Sequence, residues 1–183
     1  YCMNFYNCPP QIIGRIEHFI SRKAMDVSGL GTETIELLYK NGLVSNYADL
    51  YKLKKEDLIP LERMAEKSAE NILNGLNQSK QIEFERVLFA LGIRFVGQTV
   101  AKKITKAFIN IDNLINSNYE NLLEVEEIGE KISKSIVEFF RSEDNLKIIY
   151  RLKKIGLKFE IDKSNKDFKN IFAGNSFVIS GKF

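Results

Sequence analysis

Leu91-Gly92-Ile93-Arg94-Phe95-Val96-Gly97 decides the fold. Within it an apolar residue, two variable ones, a second apolar residue and a small one precede an amphipathic run. The same pattern stands at Val27-Ser28-Gly29-Leu30-Gly31, Leu61-Glu62-Arg63-Met64-Ala65 and Val125-Glu126-Glu127-Ile128-Gly129. The closing small residues are 31, 65, 97 and 129, so the unit recurs every 34, 32 and 32 residues. Four matches in one register mark an internal repeat.

The register continues past the turn. Four positions on stand Ile35, Ala69, Ala101 and Ser133; seven positions on stand Leu38, Ile72, Ile104 and Ile136. That spacing gathers them on one helix face that needs a core partner. Upstream of each turn lies another apolar helical stretch: Ile12 to Ile20, Tyr47 to Leu58, Phe84 to Leu91 and Tyr119 to Val125. Each unit therefore reads as helix, tight turn, helix. Glycine in the turn supplies a positive φ, and the flanking apolar pair pins the two helices together. Backbone N–H groups of the turn and of the next helix then face outward as an anion site that fits a phosphate without needing a lysine. A purely structural helical array is the alternative reading of such hairpins.

The composition is that of a soluble globular chain: 183 residues, 44% hydrophobic and 28% charged. A wholly disordered chain, a collagen and a disulfide scaffold are excluded. Lys and Arg total 27 against 24 acids, a formal charge of only +3. Any nucleic-acid binding must rest on placed groups rather than bulk charge. No apolar run approaches the roughly 18 residues that span a bilayer, and no leader opens the chain. Two cysteines, Cys2 and Cys8, fit a reducing, cytoplasmic setting. The chain starts at Tyr1-Cys2, and the strand-like run Phe177 to Phe183 has nothing after it to pair with. A fragment of a longer protein is expected.

The turn-helix units resemble helix-hairpin-helix motifs, which bind the sugar-phosphate backbone of DNA. The wider string resembles the C-terminal half of bacterial NAD-dependent DNA ligase. The matching stretches are Cys2-Met3-Asn4-Phe5-Tyr6-Asn7-Cys8-Pro9, Met25 to Gly31, Lys67-Ser68-Ala69-Glu70-Asn71 and Leu91 to Gly97. The resemblance implies a mainly α fold of four helix-hairpin-helix units in two pseudo-symmetric pairs, first with second and third with fourth. It divides the chain into a zinc-finger remnant (1–10), a helix-hairpin-helix domain (11–156), and a linker with the truncated start of a BRCT-like α/β domain (157–183). In the family four cysteines hold a structural zinc, and Cys2 and Cys8 match the last two. His18 is the sole other candidate ligand, and its amphipathic run reads it as solvent-facing. Two ligands do not make a stable tetrahedral site, so zinc binding by the fragment is expected to be weak or absent.

The resemblance implies a parent enzyme that joins 3′-hydroxyl and 5′-phosphate ends of nicked duplex DNA in replication and repair. NAD is its adenylate donor, and magnesium serves the missing catalytic domain. The adenylation-lysine motif does not occur here, so this segment is expected to be inactive alone and to hold duplex without reading its sequence. The DNA-contacting positions implied are Gly29, Leu30 and Gly31; Arg63, Met64, Ala65 and Lys67; and Arg94, Phe95, Gly97, Gln98, Lys102 and Lys103. Glu127 would repel a phosphate, so the fourth hairpin is expected to be structural. Valine at Gly31 or Gly97 is expected to weaken binding by forbidding a positive φ and blocking the phosphate. At Gly129 it is expected mainly to cost stability. Asp112 and Asp144 follow hairpins as a glycosylase aspartate would, but Asp112 opens a helical run and reads as an N-cap. The tail helix Asn145 to Ile155 is expected to present a basic face and stop at Gly156. A monomeric parent is expected, with self-association of the fragment through its cut C-terminal strand. The rival readings are a helix-hairpin-helix domain of another repair or recombination protein and an all-α protein-interaction module.

Overall fold

The computed structural model describes residues 8–62 and 64–162, and they are almost entirely helical. Helix α1 (Pro9–Ile20) begins on proline, whose fixed φ and missing N–H suit a first turn. It is followed by α2 (Thr32–Lys40), a 3-10 helix (Tyr47–Lys52), α3 (Lys55–Leu58), α4 (Glu66–Ser79) and α5 (Phe84–Ala90). Then come α6 (Gln98–Phe108), α7 (Ile111–Ile115), α8 (Tyr119–Leu123), α9 (Glu130–Arg141) and α10 (Glu143–Ile155). The four expected hairpins are α1–α2, α3–α4, α5–α6 and α8–α9. Ile35, Leu38, Ala69, Ile72, Ala101, Ile104, Ser133 and Ile136 are all buried, as the repeat register requires. Ser133 is accommodated because its hydroxyl donates to the Gly129 carbonyl.

One expected helix is split. Tyr47 to Leu58 reads as a single stretch but breaks at Leu53 and Lys54, whose backbones are extended. Two carboxylates, each three residues past a helix-start position, explain the break. Asp49 accepts from the Asn46 N–H and Asp57 from the Lys54 N–H, so each caps its own short helix.

The hairpins pair as the repeat suggests. In the first pair, the turn before α2 lies on α4. A Cβ at Gly29 would stand 3.3 Å from the Ile72 side chain, and one at Gly75 only 2.9 Å from the Ser28 carbonyl oxygen. In the second pair, Ser135 of α9 donates to the Arg94 carbonyl at 2.8 Å, and Glu127 meets Lys103 of α6 at 2.6 Å. Gly29 and Glu127 each stand three residues before the first residue of their helix. Their partners, Asn71–Ile72 and Lys103, stand five or six past the first residue of the facing one. That shared register is the pseudo-symmetry of the two pairs.

Helix α10 holds the two pairs together. Arg151 makes an ion pair with Asp49 of the first pair, and Lys153 makes one with Asp112 of α7 at 2.7 Å. Lys147 is paired to Glu143 and Asp144 within its own helix. The expected basic face is therefore largely spent on internal ion pairs. Gly156 ends the helix in a left-handed conformation, as expected. Past that residue the chain stays on the body: Leu157 and Phe159 are buried, Ile111 donates to the Phe159 carbonyl, and Ile161 donates to that of Ile109. The BRCT-like strand and residues 163–183 lie outside the described residues, as do Cys2 and Arg63.

Asp49 also accepts from the backbone and hydroxyl of Ser45. Burial pushes its carboxyl up, but the bonds from Arg151 and Ser45 and the charge of Arg151 outweigh this and leave it below the ordinary value. Its stabilising contribution is thus complete above the unfolded-state value near 3.8 and is lost as pH falls through the lower folded-state value. Asp49→Ala should cost about 2–4 kcal/mol near neutral pH, since it strips the partner from a half-buried arginine and uncaps a helix. Denaturant titrations of both proteins should converge as the pH drops below about 4. A constant gap down to pH 2 would refute the ion-pair account.

Candidate nucleic-acid interface

The helices that follow the four turns begin alike. Gly31, Ala65, Gly97 and Gly129 are the N-caps of α2, α4, α6 and α9, and no side chain caps any of them. Each N-cap carbonyl accepts the first full helical bond, from Ile35, Ala69, Ala101 or Ser133. By the geometry of a helix start the earlier N–H groups have no partner four residues back, although the Ser68 and Ile132 N–H groups turn back to the Ala65 and Gly129 carbonyls. Three of these ends are open, since a Cβ built at Gly31, Gly97 or Gly129 meets nothing within 4 Å.

The positive φ is not where the sequence suggested. Gly31, Gly97 and Gly129 have φ of −110°, −83° and −88°, which any residue adopts. The left-handed residue is two positions earlier: Gly29 at +85°, Phe95 at +65° and Glu127 at +64°. Bending back there lets the flanking apolar residues reach the core and points the next helix's first turn outward. Only the first hairpin places glycine at that bend; the third and fourth accept a strained phenylalanine and a strained glutamate. The expectation that valine at Gly31 or Gly97 forbids a required φ is therefore corrected. At Gly129, which has neither a left-handed φ nor a neighbour within 4 Å to strike, the stability cost of valine comes instead from its poor fit to an N-cap position.

The remaining assigned residues divide by what they touch. Leu30 and Met64 pack against the core, so only their backbones are available to a ligand. The Met64 N–H already bonds the Leu61 carbonyl. Ala65 and Lys67 are exposed at the start of α4. Arg94 lies over the Phe95 ring at 4.8 Å, and Phe95 is 53% exposed at the tip of the third turn. The Gln98 side chain donates to the Lys23 carbonyl at 3.3 Å. Lys102 is exposed, whereas Lys103 is half-buried and engaged by Glu127. That ion pair also revises the reading of Glu127, because its charge is matched by a lysine.

Electrostatics separates the four helix starts. α2 carries Glu33 in its first turn, α4 Glu66 and α9 Glu130, while α6 carries no acid there. Glu66 is itself bound to Lys55. A carboxylate in the first turn already satisfies the helix dipole and opposes a second anion. The third hairpin is thus the most favourable anion site and the fourth, with exposed Glu126 and Glu130, the least.

The other assigned groups have structural partners where they are described. Cys8 is the N-cap of α1, and no group of three or more potential metal ligands exists among the described residues. His18 is not solvent-facing: its Nε2 bonds the Phe89 carbonyl at 2.8 Å, and its ring meets Phe89 edge-on. The described residues therefore do not assemble a zinc site, and the match at Cys2 lies outside them. Asp112 is not the N-cap of α7; Asn110 is, and Asp112 serves Lys153. Asp144 pairs with Lys147. Among the described residues no helix is long and apolar enough to cross a membrane.

Comparison with known proteins agrees with this geometry. Residues 21–78 match a SAM-like helix-hairpin-helix tandem, and residues 86–149 match a helix-hairpin-helix motif. Over the whole chain the sequence is 61% identical to a DNA ligase of Flavobacterium johnsoniae, 57% to one of Flavobacterium psychrophilum and 58% to one of Christiangramia forsetii. The chain spans 28% of the length of these curated relatives. Helix-hairpin-helix models over both halves, with matches along the whole chain to one stretch of DNA ligases, make this chain a tandem helix-hairpin-helix segment similar to that of the DNA ligases.

Proposed function

We propose that this segment holds duplex DNA by its sugar-phosphate backbone, without regard to sequence, for an enzyme that seals nicks. The observation that carries the reading is the uncapped, unobstructed helix start at Gly97, with no acid in the turn that follows. Backbone amides there bind a phosphate oxygen, which positions a duplex but cannot distinguish bases. The other three helix starts add weaker contacts, and each pair addresses both strands across a minor groove. The ligases that match the chain support assigning it to joining of 3′-hydroxyl and 5′-phosphate ends. NAD as adenylate donor, magnesium and zinc belong to the parent enzyme in this reading. No step of the chemistry runs through the residues described here.

The test is duplex affinity of three variants at one salt concentration. Valine at Gly97, Gly31 or Gly129 leaves the turn unstrained and stands where a phosphate would sit, so thermal midpoints should fall only by the modest cost of a poorer N-cap, alike for all three. Gly97→Val should weaken binding on the order of tenfold, the worth of one charge-assisted hydrogen bond. Gly31→Val should cost less and Gly129→Val least. Wild-type affinity should also fall steeply with salt. Salt-independent binding, or a folded Gly97→Val protein with undiminished affinity, would defeat the reading and favour a protein-interaction module.

A further inference from the structure

The described surface carries a basic groove beyond the four turn motifs. It lies between the segment leaving α1 and the third hairpin, and is lined by Arg22, Lys23, Arg86 and Lys102 against a single acid, Glu85. No described carboxylate pairs with any of the four cations, unlike Lys103, Arg151 and Lys153. Four unneutralised cations in one groove repel one another, and an anion relieves that repulsion. The floor includes the half-buried ring of Phe89, whose apolar surface suits a sugar.

The groove is built rather than incidental. Arg86 Nη2 donates to the Arg22 carbonyl at 2.6 Å, and Gln98 Nε2 donates to the Lys23 carbonyl at 3.3 Å. Those bonds fasten the backbone of residues 22 and 23 to the third hairpin and leave both side chains exposed. The groove is also continuous with the helix start of α6, since Gln98 and Thr99, its first two residues, line the wall. A phosphate on that helix start is followed along the strand by phosphates that need cations, and the groove supplies them.

We infer that Arg22, Lys23 and Lys102 form a phosphate track that receives the same DNA strand held by the third hairpin, extending its footprint toward the first hairpin pair. The inference rests on the duplex-binding reading and adds Arg22 and Lys23, which precede the motif of residues 27–31 in the connection between α1 and α2. The track also joins the two hairpin pairs on one strand, because residues 22 and 23 follow α1 while α6 belongs to the second pair.

The measurement is the dependence of duplex affinity on salt, made on the whole segment. Arg22→Ala/Lys23→Ala should reduce the slope of log affinity against log salt by about 0.9 for each phosphate no longer neutralised. Lys102→Ala should reduce it by about the same for one contact. Backbone carbonyls 22 and 23 survive the changes, so the thermal midpoint should hold. Lys147→Ala/Lys154→Ala removes equal charge from α10 and should leave the slope nearly unchanged. Wild-type binding with the groove variant matching this control would overturn the track but not duplex binding. A wild-type segment that binds no duplex would overturn both.

Discussion

Gly75→Val should destabilise the protein by about 3 kcal/mol and separate the first two hairpins. Gly75 is buried in the middle of α4, where glycine costs roughly 1 kcal/mol relative to alanine. The reason for that cost is contact with the neighbouring turn. A Cβ there would lie 2.9 Å from the Ser28 carbonyl oxygen and 3.2 Å from the Ser28 nitrogen. Those are backbone atoms of a turn whose next residue, Gly29, is itself pressed on Ile72. Neither side can yield without moving α4 or the turn. The measurable outcome is a lower denaturation midpoint, together with weakened duplex binding because the two helix starts no longer keep their spacing. A Gly75→Val protein as stable as wild type would show that α4 and the first turn are not in close contact.

Phe19→Ala should cost about 3–5 kcal/mol, the range for removing a fully buried aromatic side chain. Phe19 is completely buried. It stacks on Tyr47 with centroids 4.5 Å apart and meets Tyr51 edge-on at 6.3 Å. Phe19 thereby joins α1 to the 3-10 helix, which in turn carries the Asp49 pairing to α10. The cavity left behind would lie at the junction of those elements, where two rings lose their partner. Unfolding by urea should show a large fall in midpoint with little change in slope. A loss below about 1 kcal/mol would mean that the ring is not the centre of this junction.

The repeat was legible because it is periodic. Within each unit the pairs Ile35 and Leu38, Ala69 and Ile72, Ala101 and Ile104, and Ser133 and Ile136 stand at helical spacing, and burial then leaves one arrangement of the face. The helix starts were legible for a related reason: glycine or alanine at an N-cap leaves the first-turn amides without a side-chain partner. The location of the positive φ was not. Phe95 and Glu127 have no local reason to adopt it, and they do so because Ile93, Val96, Val125 and Ile128 must all reach the core across the turn. Nothing local distinguished Lys102 from Lys103 either. One is exposed, and the other is claimed by a glutamate 24 residues away in sequence.

By itself, then, the sequence determined the number of hairpins, their order, the face each helix buries and the helix starts left without a side-chain cap. These follow from residue type and spacing within about 12 residues, where helix geometry alone sets which side chains are neighbours. Tertiary structure decided which charges remain available. Arg151 and Lys153 look like a basic face on α10 but are consumed by Asp49 and Asp112, about 102 and 41 residues distant. Arg22, Lys23 and Lys102 look scattered along the chain but line one groove. Charge pairing depends on distances through space, and those exist only once the hairpins have packed.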